Sequence, residues 1–336
     1  LGRYAGKNAT NANYSNFSGA CAGLSAINAD KSNFFGSSAG RNATCASYSN
    51  FFGFGAGFCA TDAYHSNFFG KNAGSNATCA YYSNFIGNNS GVFATNAYHS
   101  NFFGNSSGFT AISASHSNFF GNSAGLCATD AHHSNFFGSI AGYGATFACH
   151  SNFLGTKAGC YAVNADYSNF LGFSAGLSAA YASNSNFFGT YAGTYASNAS
   201  NSNFFGNMAG CGASSASNSN FFGNKAGCGA THSSNAVFIG QNSGKNSTYS
   251  SNSVFIGNEV NNNVVGSDAV AIGAFAQAGN CGIALGCGAC SPPSHLSLGS
   301  ATAPLTLLAG GALSYSACSL AVFVNGACFK IPLLST

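Results

Sequence analysis

The segment HSNFFG stands at 99–104 and again at 116–121, and the seventeen-residue step from Ser100 to Ser117 governs most of the chain. The Ser of SNFFG falls at 15, 32, 49, 66, 83, 100, 117, 134, 151, 168, 185, 202 and 219. The same register continues at Ala236 and Ser253 with no insertion or deletion. A strict period this short requires a repeat architecture, in which each unit buries its apolar face only against its neighbours.

One copy reads SNFFGxxAGxxATxAxx. Its first Phe is present in every copy from Phe17 to Phe255, and the next position accepts Phe, Leu or Ile, with Ser18 the one exception. Two Gly columns follow, such as Gly70 and Gly74. Seventeen residues are too few for a helical hairpin, and Gly at this frequency opposes helix. The unit reads as two short strands, SNFFG and ATxAx, joined by Gly-containing turns. That is one coil of an all-β, parallel β-solenoid, or β-roll. At about 4.8 Å per coil, sixteen coils make a rod of about 75 Å. The Asn column, Asn67, Asn84 and Asn101, is then expected to form a ladder of side-chain amides. Three regions are expected: a shaft over 1–257, shorter coils over 258–299, and a small β cap over 300–336.

Composition narrows the functions open to such a rod. Charged residues are 4% of the chain, against roughly 25% in an ordinary domain. No run of 18 apolar residues lacks Asn, Ser or Gly, so membrane insertion is not expected. Aromatic residues, at 14%, are too abundant for disorder. The net charge of +3 is too small and scattered for nucleic acid. No signal peptide is visible and the first residue is Leu1, so a processed chain or a fragment is expected.

Successive strand residues point to opposite faces, so Phe68 and Phe69 face opposite ways, as do Phe102 and Phe103. One of the two columns, the first holding Phe85 as well, is expected to fill the coil. The other stands outside as a stripe larger than monomers normally expose. Three chains about one axis, intertwined or side by side, close that stripe most simply. The repeat carries too little charge to choose which coil meets which, so a non-repeating element must fix the alignment.

SNAVFIG at 234–240, NSVFIG at 252–257 and especially SDAVAIGAFAQAG at 267–279 resemble the head repeat of YadA-type trimeric autotransporter adhesins. GIALG at 282–286 and HLSLG at 295–299 continue it at a thirteen-residue spacing. The resemblance is specific over 236–299, and implies a trimer of left-handed parallel β-rolls with the SVAIG-like strand lining its interior. Over 1–235 it extends only to register, because those coils are longer and carry Asn-Phe-Phe for Val-Ala-Ile. Beyond 300 the repeat stops. LAVFV and ACFKIPLL flank Asn325-Gly326, a hairpin turn signal. This ending resembles the closing segment of fibre proteins from viruses of aquatic microbes, and implies a cap that sets the trimer.

Chemistry is sparse. His99, His116, His133 and His150 occupy one column, with His65 nearby, and a His ladder could bind metal or sense pH. The column also holds Tyr14, Tyr48, Tyr82, Tyr167, Lys31 and Asn from Asn184 onward, the pattern of a tolerant exposed surface. No Cys or carboxylate is expected to complete a metal site there. Of the fourteen Cys, Cys45 and Cys79 share one column, Cys59 and Cys127 another, and Cys160, Cys211 and Cys228 a third. Only Cys211 and Cys228 are on adjacent coils, so free thiols and a reducing compartment are expected. Cys287-Gly-Ala-Cys290 lacks a second pair. Sequons at Asn8, Asn42, Asn76 and Asn198 are by-products of the repeat. With six unclustered carboxylates and no phosphate loop, neither catalysis nor a cofactor is expected.

The expected function is therefore mechanical: the shaft of a viral surface or tail fibre, on a virion or as an extracellular fibre. Its partners would be two further copies of itself and a host-surface receptor such as a glycan. One alternative is a bacterial cell-surface adhesin, which would need a signal peptide, coiled-coil stalk and membrane anchor that these residues do not display. A third class is an ice-binding solenoid, prompted by Thr44, Thr61, Thr78 and Thr95 and weakened by Ile112, Val163 and Ala180.

Overall fold

A computed structural model describes residues 2–261 and 265–300, together with the backbone of 319–324 and 327–332. The chain is an all-β parallel solenoid, without a helix among the described residues. Each coil contributes one three-residue strand, from β1 (Asn16–Ser18) to β15 (Val254–Ile256) and β16 (Val270–Ile272). These strands build one 18-stranded parallel sheet that also takes in β18 (Ile283–Leu285) and β20 (Leu296–Leu298). The register is the repeat itself: Asn67 pairs with Asn84, Phe68 with Phe85 and Phe69 with Ile86.

The first Phe points inward. Phe34 through Phe255 are fully buried, and successive rings such as Phe102 and Phe119 stack at 4.7 Å. The rest of the core is small: Ala73, Ala77 and Ala80 are the inward residues of one coil, all at 0% exposure. One large ring and three methyls fill a seventeen-residue coil, which explains why neither can be exchanged for the other. The Ser before each strand is buried and wires neighbouring coils together. Ser83 Oγ accepts from the backbone N–H of Ser100 at 3.0 Å and donates to the carbonyl of Ala97 at 2.7 Å.

The second leg differs from the sequence expectation. ATxAx does not form a strand of its own; it makes one backbone bridge per coil, as between Thr61 and Thr78. Three overlapping turns precede it, closed by Ala56 N–H to Gly53, Phe58 N–H to Gly55 and Ala60 N–H to Gly57. Gly55, Gly57 and Cys59, the third residue of each turn, have φ of 65°, 62° and 52°, the type II signature. Asp62 and His65 are also left-handed, so the backbone keeps turning where an extended strand would straighten.

Past β15 the step shortens to sixteen residues and then to thirteen, as Val270 pairs with Ile283 and Ile283 with Leu296. The thirteen-residue coil beginning at Ala269 keeps one turn, Ala276 N–H to Gly273, in place of three. Each overlapping turn adds two residues, so losing two of them accounts for the four-residue difference. The freed leg becomes a true second sheet, β17 (Gln277–Ala278) paired with β19 (Cys290–Ser291). Farther on, β21 (Ser319–Val324) and β22 (Ala327–Pro332) pair antiparallel, Val324 opposite Ala327. The expected turn residues Asn325 and Gly326 lie outside the described residues, as do 301–318.

Candidate functional site

Two surfaces of the solenoid carry side chains beyond what the coil needs. The first is the outer face of the sheet. Asn67 Nδ2 donates to Asn84 Oδ1 at 2.8 Å, Asn84 to Asn101 at 2.8 Å, and the chain of amides runs from Asn16 to Asn220. Between its two end residues each amide both gives and accepts, so the ladder is polar yet satisfied. Beside it runs the second strand residue, which alternates in face from the buried Phe and lies outward. Phe35, Phe52 and Phe69 stack at 4.8 and 4.9 Å, Phe103, Phe120 and Phe137 at 4.7 and 4.9 Å, and Phe188, Phe205 and Phe222 at 4.7 and 5.1 Å. Ile86 divides the first two runs. Leu154 and Leu171 divide the second and third, and with Asn152, Asn169, Phe137 and Phe188 they line a shallow depression of about 410 Å³. Within one chain this column is only half-covered, Phe35 and Phe137 being 38% and 39% exposed.

Gly70, the residue after the strand, shows why that column allows no side chain. A Cβ there would overlap the carbonyl oxygen of Gly87 in the next coil, backbone against backbone.

The second surface is the histidine column. Rings stack without a break from Tyr48 through His65, Tyr82, His99, His116, His133 and His150 to Tyr167, at 4.7–5.1 Å. Lys31 begins the run, its Nζ 3.0 Å from the hydroxyl of Tyr48. His133 is held below the usual imidazole range by desolvation first, and then by His116, His150 and His132.

One expectation is corrected here. A thiol and a carboxylate do stand beside the histidines, in the column one residue earlier. Ligand atoms of His132, Cys149 and His150 lie within 4.8 Å of one another. Cys149 Sγ donates to Asp166 Oδ1 at 3.0 Å. Burial, and then that hydrogen bond, push the Cys149 thiol up to about 12. Sequence reasoning followed one column at a time and missed it. The signal was the dipeptide pair His132-His133 and Cys149-His150, one repeat apart.

The remaining thiols are free among the described residues. Cys211 and Cys228 meet across adjacent coils. The hydrogen bond from Cys211, followed by Lys245 and Lys225, draws the Cys228 thiol down against its burial, and Cys211 is raised in return. The Thr column is an unbroken line of backbone bridges, but its hydroxyl-methyl pattern is not regular, since Ile27, Ile112, Val163, Ala180, Ser197 and Ser214 replace Thr in it. Among the described residues no helix is long and apolar enough to cross a membrane. No protein-family model matches the chain, nor does any curated protein.

Proposed function

We propose that this solenoid is the shaft of a fibre, assembled from three copies that bury the outer Phe column against one another. The observation that supports this reading is the outward apolar stripe, three runs of stacked rings bridged by Ile86, Leu154 and Leu171 beside an amide ladder, that one chain leaves half-covered along its length. Such a stripe exceeds what a lone soluble chain normally exposes. Identical coils repeated along each copy match a cyclic assembly in which every level meets its own kind. The role is mechanical, to project and to present a host-binding end, on a virion or as an extracellular fibre. The resemblance of 236–299 to adhesin heads, and of the ending to viral fibres, favours the same architecture. A bacterial adhesin head would share the trimer and differ in its attachment.

The test is the mass of the full chain in solution by sedimentation or light scattering, alone and with Phe103, Phe120 and Phe137 each changed to Asn. A trimer that dissociates or loses cooperative assembly in the triple variant is the expected result. A wild-type chain that stays monomeric at high concentration would overturn the reading.

A further inference from the structure

We propose that His132, Cys149 and His150 form a divalent-metal site, selective for a zinc-like ion, that staples two adjacent coils. His132 comes from one coil, and Cys149 and His150 from the next. The three ligand atoms are already within 4.8 Å of one another. A tetrahedral ion with bonds of about 2.0–2.3 Å needs neighbouring ligands roughly 3.3–3.8 Å apart. Closing the remaining ångström or so takes side-chain rotation alone. The ring of His132 stands nearly perpendicular to His133 and His150, at 77° and 80°, with both centroids 5.7 Å away. His132 thus belongs to the neighbouring column, which meets the stack edge-on as Tyr81 and Tyr98 do, and it faces His150 at an angle.

The ligand set of one thiol and two imidazoles suits zinc among the abundant divalent ions and disfavours magnesium and calcium, which take oxygen. Asp166 completes the arrangement from a third coil. Its Oδ1 holds the Cys149 backbone N–H at 2.8 Å and the thiol at 3.0 Å. On binding, the Cys149 S–H bond breaks as the sulfur–metal bond forms, and the proton passes to the Asp166 carboxylate or to water. Solvent fills the fourth position, because His150 is exposed and the site opens outward.

Elsewhere in the His column the same geometry fails for a visible reason. His65 and His99 have Tyr64 and Tyr98 as the preceding residue, and His116 has Ser115. Only the coils of His133 and His150 carry a ligand type at both columns.

The repeat supplies variants that the fold already accepts. Ser183 occupies the column of His132 and Cys149 two coils past Cys149, and Asn184 occupies that of His150. Cobalt(II) chloride is titrated into the full, reduced, metal-free chain, followed by displacement with zinc chloride. The expected result is one cobalt per chain with a thiolate charge-transfer band, bleached by zinc. Cys149→Ser should abolish the band, and His132→Ser and His150→Asn should each weaken binding on the order of tenfold or more. The double variant His99→Asn/His116→Asn should bind as the wild type does. Absence of saturable binding would overturn the proposal. So would a band that survives Cys149→Ser, which would assign the thiolate to another cysteine, Cys211 with Cys228 or Cys287 with Cys290. Loss of binding in the His99/His116 variant would assign the metal to the ladder instead, with the same consequence.

Discussion

Gly74 lies flat against the ring of Phe68, six residues earlier in the same coil, so closely that a Cβ at Gly74 would overlap Cδ2 of the ring. The contact recurs in the neighbouring coils, where Gly91 meets Phe85 and Gly108 meets Phe102. The Phe column and the second Gly column are thus one structural requirement seen twice in the sequence.

Gly74→Ala should therefore be severe. Its φ of 64° strains an L-residue, and the ring has no room to retreat among stacked neighbours. Overpacking and left-handed strain together predict a loss of about 2–5 kcal/mol. Gly212 has nearly the same φ, 67°, but open space beyond it, and its column holds Asn42 and Asn76 elsewhere. Gly212→Asn should change stability by no more than about 0.5 kcal/mol. Denaturant unfolding of the two variants measures the contrast; equal losses would contradict it.

The amide ladder predicts a position effect. Asn118 accepts from Asn101 and donates to Asn135, whereas Asn220 only accepts, its next neighbour in the column being Val237. With each net bond worth about 0.5–1.5 kcal/mol, Asn118→Val should cost roughly twice what Asn220→Val costs. Thermal melts of both single variants supply the comparison.

Thiol reactivity should split between two residues of one column. Cys228 is drawn down by the thiol of Cys211, with Lys245 and Lys225 adding to the effect. Cys160 is raised by burial, at 4% exposure. Alkylation near neutral pH, followed residue by residue by mass spectrometry, should modify Cys228 well ahead of Cys160, because the thiolate is the nucleophile. Cys211→Ser should slow Cys228.

Deleting one residue tests the register. Asn105 sits in a coil bonded on both sides: its carbonyl accepts from Ser123 N–H at 2.8 Å, and Ser106 N–H donates to Asn88 at 2.8 Å. Removing it shifts every ladder of that coil against two neighbours. Pro293 is exposed, has no N–H to give and lies in the last thirteen-residue step, outside the long seventeen-residue ladders. The Asn105 deletion should abolish soluble, cooperative folding, and the Pro293 deletion should be tolerated. Equal yields and melting curves would count against a continuous solenoid.

The sequence alone determined the period, the sheet register, and that the two Phe of each pair face opposite ways. All three follow from a strict seventeen-residue step combined with strand alternation, and need no knowledge of the rest of the coil. Asn67 could be placed because it stands against its own equivalent in the next coil, but that Phe68 and not Phe69 turns inward only the tertiary structure shows. The turning path of residues 53–62 was decided by the tertiary structure. Cys59 and Asp62 sit in left-handed conformations that residues other than Gly disfavour in isolation. Bonds to the coils on either side, such as Cys59 N–H to Arg41 and Thr61 N–H to Ala77, hold the segment there together with its own turns. The meeting of His132, Cys149 and His150 belongs to the same category. It joins two columns laterally, and how neighbouring columns lean together depends on the backbone turning at each coil's end, which a periodic reading does not contain.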